Sequence, residues 1–278
     1  MNDVIEQVGG SRIQHGKNND RIYLMKLAPE EAPTLVPRLD LLANNKGYTK
    51  IFAKVPARAR QAFAHAGYRE EARVPGFFAG REDGFFVAKY FCPKRRKERR
   101  PETVLQVIAA ARAKAGQSGG RPLSEGFYLR RLGAPHTPAM AELYRTVFAS
   151  YPFPIHDPGY LRETLEDNIL YWGVFDGEQL VAISSAETYP ADLNAEMTDF
   201  ATLPSYRGAG LAQALLAEME GELARRNYRT AYTIARAYSF GMNITFAKHG
   251  YAFSGTLTHN TDISGELESM NVWHKQLQ

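Results

Sequence analysis

The chain has 278 residues, of which 44% are hydrophobic and 23% are charged. This composition is that of an ordinary globular protein, so it excludes a disordered or fibrous chain, and no run approaches the roughly 18 to 20 uncharged apolar residues of a membrane span. The single cysteine, Cys92, excludes an intrachain disulfide and a cysteine-ligated zinc site. Residues 1–20 carry several charges and no apolar stretch of the secretory type, so we expect a cytoplasmic protein that contacts no membrane.

The excess positive charge lies mainly in one segment. The chain has a formal net charge of +4, but residues 94–100 carry six basic residues against Glu98, so the rest of the chain has a net charge of −1. The segment follows Pro93 and has neither interleaved aromatic residues nor a groove-reading helix. We therefore predict a solvated linker and expect no nucleic-acid partner, with contact to nucleic acid as the alternative.

Turn and charge signals divide the chain into two domains. Residues 1–100 predict a smaller α/β domain with no assigned role, and residues 101–122 predict a linker made of a helix over 102–115 and a glycine-rich connector over 116–122. Residues 123–278 predict a second, mixed α/β domain. Its periodicity predicts strand 126–131, helices 138–149 and 158–168, strands 170–175, 179–187 and 196–203, helix 211–226, strand 230–236, helix 241–249, and strands 251–257 and 270–275.

The two domains share a weak internal sequence similarity. A shift of 183 residues aligns Ile51 with Ile234 and the pair Gly67-Tyr68 with Gly250-Tyr251, each in a strand-helix-strand context. One interpretation is that the first domain is a degenerate half copy of the second; the other is chance similarity. The first domain has no counterpart of the glycine turn described next, so we assign it no chemistry.

A strand that enters a glycine turn carries the sharpest chemical signal. The predicted strand 196–203 leads to Arg207, Gly208, Ala209 and Gly210, directly before a long helix. The first N–H groups of a helix have no intrahelical acceptor, the helix dipole adds positive charge, and small residues let a phosphate approach the backbone. The turn therefore predicts an anion-binding site; the alternative is that its glycines only permit a tight turn. Neither a Rossmann fingerprint nor a Walker loop is present.

The pattern Arg207-x-x-Gly210-x-Ala212 at this junction resembles the signature of the GCN5-related N-acetyltransferases (GNAT), and Asn243-x-x-Phe246-x-Lys248 resembles their second cofactor motif. The resemblance covers about residues 126–278. It implies acetyl-CoA as cosubstrate and a mixed sheet, flanked by helices, whose fourth and fifth strands splay apart around the pantetheine arm. The residues it assigns to the cofactor are Phe200, Ala201, Thr202, Arg207, Gly208, Ala209, Gly210, Leu211, Ala212 and Asn243.

A closer resemblance is to the beta-lysine N-acetyltransferase family. It rests on residues 148–157, 196–210 and 270–275 and on the presence of a preceding domain. It implies acetylation of the terminal amine of beta-lysine to give N6-acetyl-beta-lysine, a compatible solute. The alternatives are another amine, such as a polyamine, an antibiotic or a protein lysine, and a sensor that binds acyl-CoA without turnover. The sequence leaves open whether the chain forms a homodimer.

Glu196 is the candidate general base. An alkylammonium must lose a proton before it attacks a thioester, usually to a carboxylate, and histone-type members of the family place their base glutamate at this position. Strand alternation puts Glu196 and Asp199 on opposite faces, so they share a ligand only if a bulge intervenes. The alternative for Glu196 is an exposed carboxylate at a strand end.

One position departs from the family pattern. A tyrosine on the helix of the second motif commonly protonates the coenzyme A sulfur, but here the position is Phe246. A tyrosine acid is therefore in doubt, and Tyr238, Tyr251, a water or direct release of thiolate remain open. The alternative role of Asn243 is a helix-capping residue.

The candidates for the amine pocket lie mainly between the first two helices of the second domain. Tyr151 and Phe153 would line a methylene chain, and Asp157 or Glu187 would pair an ammonium. A substrate carboxylate would need a cation such as Arg162 or Arg236. The histidines show no metal-ligand spacing, so we predict no metal.

Overall fold

The computed structural model describes residues 3–117, 123–263 and 265–277. The first half has six strands and two helices: β1 (Val4–Val8), β2 (Ser11–Gly16), β3 (Arg21–Lys26), α1 (Ala32–Lys46), β4 (Lys50–Pro56), α2 (Ala57–His65), β5 (Arg69–Phe78) and β6 (Glu82–Tyr90). Two further helices follow, the short α3 (Pro93–Arg96) and α4 (Pro101–Arg112). Most of the predicted glycine-rich connector, over 118–122, lies outside the described residues.

The second half alternates strands and helices as its periodicity predicts. Its elements are β7 (Phe127–Leu132), α5 (Thr137–Val147), α6 (Pro158–Glu166), β8 (Ile169–Asp176), β9 (Gln179–Tyr189), β10 (Asn194–Thr202), α7 (Leu211–Arg225), β11 (Thr230–Arg236), α8 (Phe240–Lys248), β12 (Ala252–Ile263) and β13 (Glu266–Gln276). Each predicted element is present, and only β12 and β13 are markedly longer than predicted. Within the described residues, no helix is long and apolar enough to cross a membrane.

All the strands belong to one sheet with the order β1-β2-β3-β4-β6-β5-β12-β13-β11-β10-β9-β8-β7. The succession β1-β2-β3-α1-β4-α2-β5-β6 repeats as β8-β9-β10-α7-β11-α8-β12-β13, and the pairings repeat with it. For example, β3 pairs parallel with β4 as β10 does with β11. The internal similarity in the sequence therefore corresponds to a repeated topology, in which the described part of the first half has no counterparts of β7, α5 and α6.

The two halves meet where β5 pairs antiparallel with β12 through Ala72 and Gly255. Gly255 has φ +150°, and a Cβ atom there would lie 2.0 Å from the carbonyl oxygen of Glu71. Only glycine permits this approach of the two backbones. An aromatic cluster covers one face of the sheet across the junction and includes Tyr23, Phe52, Phe77, Phe86 and Tyr232.

Helix α4, predicted as part of the linker, packs on the second half. Val104 and Ile108 contact Ala237, which follows β11. The division of the chain near residues 100 and 122 stays a prediction, because the sheet itself is continuous.

The basic segment is not simply a solvated linker, and this prediction was wrong for Arg95. Its side chain is 5% exposed and donates to the carbonyl oxygens of Asn19, Asp20 and His259 and to the Thr49 hydroxyl. The buried guanidinium thus ties the first half to β12. The other five basic residues are exposed, as expected for solvated charges.

Candidate active site

The first cavity lies where two parallel strands separate. Strand β10 pairs with β11 only at residues 194–196, after which the two strands diverge. The gap opens a cavity of about 660 Å³ between Thr198–Thr202 on one side and Thr233–Arg236 on the other. The splayed fourth and fifth strands of the second half are thus confirmed.

The glycine turn forms one wall of this cavity. Gly208 and Gly210 adopt left-handed backbone conformations, with φ +87° and +78°, and no atom lies within 4 Å of the Cβ that either position would carry. Gly210 is the N-cap of α7 and provides no capping side chain. The helix therefore presents free N–H groups to open space beside the exposed Arg207, as an anion site requires.

Most residues assigned to the cofactor line this cavity: Phe200, Thr202, Arg207, Gly208, Gly210, Leu211 and Ala212. Ala201 and Ala209 do not. Ala201 is buried on the other side of β10, in a core cluster with Ile183 and Leu180.

The structure does not place Asn243 at the cavity. Its amide is buried and donates to the carbonyl oxygens of Arg236 and Ser239, while Oδ1 accepts from Asn271 and from Trp273 Nε1. All its polar atoms are therefore used to fix α8 against the sheet. This arrangement does not support the assignment of Asn243 to the cofactor, and it favours the alternative of a residue that fixes the start of α8.

A bulge in β10 brings two carboxylates to the same side. The register with β9 runs from Thr198 opposite Ser185 to Ala201 opposite Ile183, so two residues of β10 face one residue of β9. Asp199 lies in this bulge with φ +54°. The alternation that separated Glu196 from Asp199 is broken here, and both side chains line a second cavity.

The second cavity, of about 480 Å³, is built by both halves of the chain. Three of the residues proposed for the amine pocket, Tyr151, Phe153 and Glu187, line it, and strands β3 and β4 contribute further lining that the sequence did not predict. The first and second cavities share lining residues at the bulge, among them Thr198 and Asp199.

Three residues proposed for the amine substrate do not line the second cavity. Asp157 lines neither cavity, because it caps α6 by accepting from the Gly159 N–H at 2.9 Å. Arg162 also lines neither cavity. Arg236 lines the first cavity instead of the second, and its guanidinium pairs with Glu268.

Glu196 has the electrostatics of a general base. It lies opposite Glu187 on β9, and its side chain is 12% exposed. Burial raises the pKa of Glu196 to about 7, with a further rise from Glu187 and an opposing effect from Lys54. A carboxyl group with this pKa is poised to exchange a proton near neutral pH.

Lys54, which the sequence analysis did not single out, lies beside the candidate base. Its ammonium group lies 4.0 Å from Glu196 Oε2 and within 5.0 to 5.4 Å of the ring centres of Tyr23, Tyr189 and Tyr232. Burial opposes the charge, but Tyr23 and the two glutamates outweigh it, so the pKa of Lys54 is raised. The first half thus provides the cation that faces the candidate base.

Asp199 is held by hydrogen bonds. Its two carboxylate oxygens accept from the hydroxyls of Tyr151 and Ser185, each at 2.5 Å. Burial raises the pKa of Asp199, and these hydrogen bonds oppose the rise. Because both oxygens already have donors, Asp199 is less free than Glu196 to take a proton from a ligand.

Neither tyrosine near the second motif reaches the first cavity. The hydroxyl of Tyr238 donates to Glu98, and Tyr251 is buried behind Phe246. Tyr151 is the tyrosine that lines both cavities. Within the part of the chain that the structure describes, no group of three or more His, Cys, Asp or Glu side chains could hold a metal ion.

Known proteins share this sequence pattern. A family model described as the acetyltransferase (GNAT) family matches residues 137–251. A beta-lysine N(6)-acetyltransferase from Methanococcus maripaludis is 36% identical over 99% of both chains. The chain belongs to the GNAT acetyltransferase family. It is accordingly an N-acetyltransferase, and enzymes of this family use acetyl-CoA.

The chain is also similar to a second relative in sequence and to a solved structure. A beta-lysine N(6)-acetyltransferase from Methanosarcina mazei is 31% identical and covers 86% of this chain and 95% of its own. Among solved structures, the ribosomal-protein-S18-alanine N-acetyltransferase of Escherichia coli is 15% identical, with a TM-score of 0.49, and covers 55% of this chain and 94% of its own.

Proposed function

We propose that this enzyme transfers the acetyl group of acetyl-CoA to the terminal amine of beta-lysine, giving N6-acetyl-beta-lysine. The observation that carries the proposal is the meeting of the two cavities at the β10 bulge, with Glu196 beside it. The names of the relatives at 36% and 31% identity support beta-lysine as the acceptor.

The first cavity suits the cofactor. Acetyl-CoA supplies an activated acyl thioester. The N–H groups at the start of α7 and the Arg207 guanidinium would hold its phosphates, and the unpaired edge of β10 would hold its pantetheine arm. The open space beside Gly208 and Gly210 supports this assignment, because any Cβ there would occupy the approach to the backbone.

The second cavity suits a small alkylammonium. Glu187, Glu196 and Asp199 give its inner end three carboxyl groups, and aromatic side chains such as Tyr151 and Phe153 line the remainder. Glu196 would accept the proton that the ammonium must lose. The amine nitrogen would then form a bond to the acyl carbon as the carbon–sulfur bond breaks, and the thiolate would leave with or without a proton.

The test is acetylation of beta-lysine by the purified full chain, with the acetylated nitrogen located by mass spectrometry. Glu196→Gln should lower the rate at neutral pH by about 10² to 10⁴, with partial recovery toward the pKa of the amine. Asp199→Asn, three residues further along the same strand, is the matched control. A larger loss of rate in the Asp199 variant than in the Glu196 variant would assign the role of base to Asp199. If the parent enzyme does not acetylate beta-lysine, the proposed acceptor is refuted.

A further inference from the structure

A buried arginine of the first half faces the second cavity without an anionic partner. Arg21, the first residue of β3, is 4% exposed and lines this cavity. Its Nη1 donates to the carbonyl oxygen of Asn260 and to Thr261 Oγ1 at 3.3 Å. Within the described residues, no carboxylate oxygen lies within 4.0 Å of the guanidinium, and the buried Nε has no acceptor.

This arrangement is unusual for a buried charge. Burying an ion costs several kcal/mol unless it is paired and hydrogen-bonded. Arg95, which is similarly buried, satisfies that condition with four acceptors and the nearby Asp20 carboxylate. Arg21 has two acceptors, both on β12, and the rings of Tyr23 and Phe52 with centres 5.3 and 5.9 Å away. Its remaining N–H groups therefore suit an anion delivered from the cavity.

The charges around the cavity also differ between its two walls. The wall from β9 and β10 carries Glu187, Glu196 and Asp199, and Glu163, Asp167 and Asp192 add carboxylates elsewhere in the lining, whereas β2 and β3 carry the basic residues Arg12, Arg21 and Lys26. A ligand with an ammonium at one end and a carboxylate at the other would match both walls. A simple diamine would leave the buried guanidinium unpaired.

We propose that Arg21 binds the carboxylate of the acceptor, so that the first half of the chain selects amino acids over simple diamines. This inference rests on the proposed function, because it takes the second cavity as the acceptor site. A guanidinium can form two parallel hydrogen bonds to a carboxylate, which gives orientation as well as affinity. Arg21 is thus a specificity-determining residue outside the segment that the family model matches.

The test compares two acceptors that differ only in the carboxylate group: beta-lysine and 1,4-diaminopentane. The parent enzyme should strongly prefer beta-lysine. Arg21→Met should lower kcat/KM for beta-lysine by about 10²-fold and change that for 1,4-diaminopentane by less than about threefold, since only the first substrate loses a charged hydrogen bond. Arg21→Lys should recover part of the preference. Arg162→Met, an exposed arginine outside both cavities, is the matched control.

Each other outcome also decides the matter. Equal losses on both acceptors, or a parent enzyme without preference for the carboxylate, would overturn the role of Arg21. If the parent enzyme does not acetylate beta-lysine, the proposed function fails. The role of Arg21 is then tested by comparing lysine with cadaverine, either by turnover or by calorimetric binding in the presence of coenzyme A. The affinity of the Arg21→Met variant for coenzyme A shows whether that variant folds. If this affinity is lost, the test rests on whether Arg21→Lys keeps part of the preference for beta-lysine.

Discussion

Removing the cation beside Glu196 should move the pH dependence of the enzyme upward. The ammonium of Lys54 lowers the pKa of Glu196, which otherwise has burial and Glu187 raising it. Lys54→Met should therefore raise that pKa, so that less of the base is ionised at neutral pH. The rising limb of kcat/KM against pH should shift to higher pH by the same amount.

The size of the shift follows from the distance. Two unit charges 4 Å apart interact by about 4 kcal/mol at an effective dielectric constant of about 20, which is about three pKa units at 1.36 kcal/mol per unit. The observed separation is 4.0 Å, and the two side chains are only 4% and 12% exposed. Water entering the space left by the ammonium would reduce this value, so we expect a shift of about one to three units.

A second variant gives a shift of opposite sign. Glu187→Gln removes a negative charge that raises the pKa of Glu196, so the rising limb of kcat/KM against pH should move to lower pH in this variant. Lys50→Met is the control for Lys54→Met, because Lys50 is a buried lysine of the same strand that pairs with Glu71 and lines neither cavity. The assay is steady-state kcat/KM between about pH 5.5 and 9.5, within the titration range of a group with a pKa near 7. An unmoved limb in Lys54→Met, or shifts of the same sign in both variants, would refute Glu196 as the titrating base.

Three further predictions concern the cofactor turn, the sheet junction and the basic segment. Gly210→Asp should weaken coenzyme A binding by about 10²-fold in calorimetric titration because it adds a carboxylate to an anion site, whereas Gly177→Asp, at another open left-handed glycine, should not. Gly255→Ala should lower the free energy of unfolding in urea by about 2 to 4 kcal/mol through the clash with Glu71, against about 1 kcal/mol for Gly250→Ala, where space is open. Arg95→Met should cost about 2 to 4 kcal/mol in the same assay and Arg99→Met less than about 0.5 kcal/mol, and equal values would contradict the buried position of Arg95.

The parts of the site that could be predicted from sequence depend only on residues that are close together along the chain. The glycine turn and helix start at residues 207–212 are such a case, since glycine conformation and free N–H groups at a helix start are local properties. The hydrophobic periodicity of the second half is also local, and it placed each of its strands and helices.

The residues whose surroundings the sequence did not reveal have distant partners. Asn243 is fixed by Asn271 and Trp273, and Arg95 by His259, 164 positions away. Lys54 reaches Tyr232 across 178 positions. A single sequence with periodic patterns gives no information on such pairs. The bulge at Asp199 was left open for another reason: strand alternation assumes a regular strand, and one residue with positive φ reverses the alternation.

The position of the second cavity implies that the sheet curls around the junction of the two halves. Strands β3 and β10 are seven steps apart in the sheet order, which in a flat sheet would separate them by roughly 34 Å at about 4.8 Å per step. Arg21 on β3 and Glu196 on β10 nevertheless line one cavity of about 480 Å³. The curl is fixed where the β5 and β12 backbones meet at Gly255 and where Arg95 ties the first half to β12. The proposed acceptor site is therefore a property of the whole sheet, because its carboxylates and its cations come from strands that only this curvature brings together.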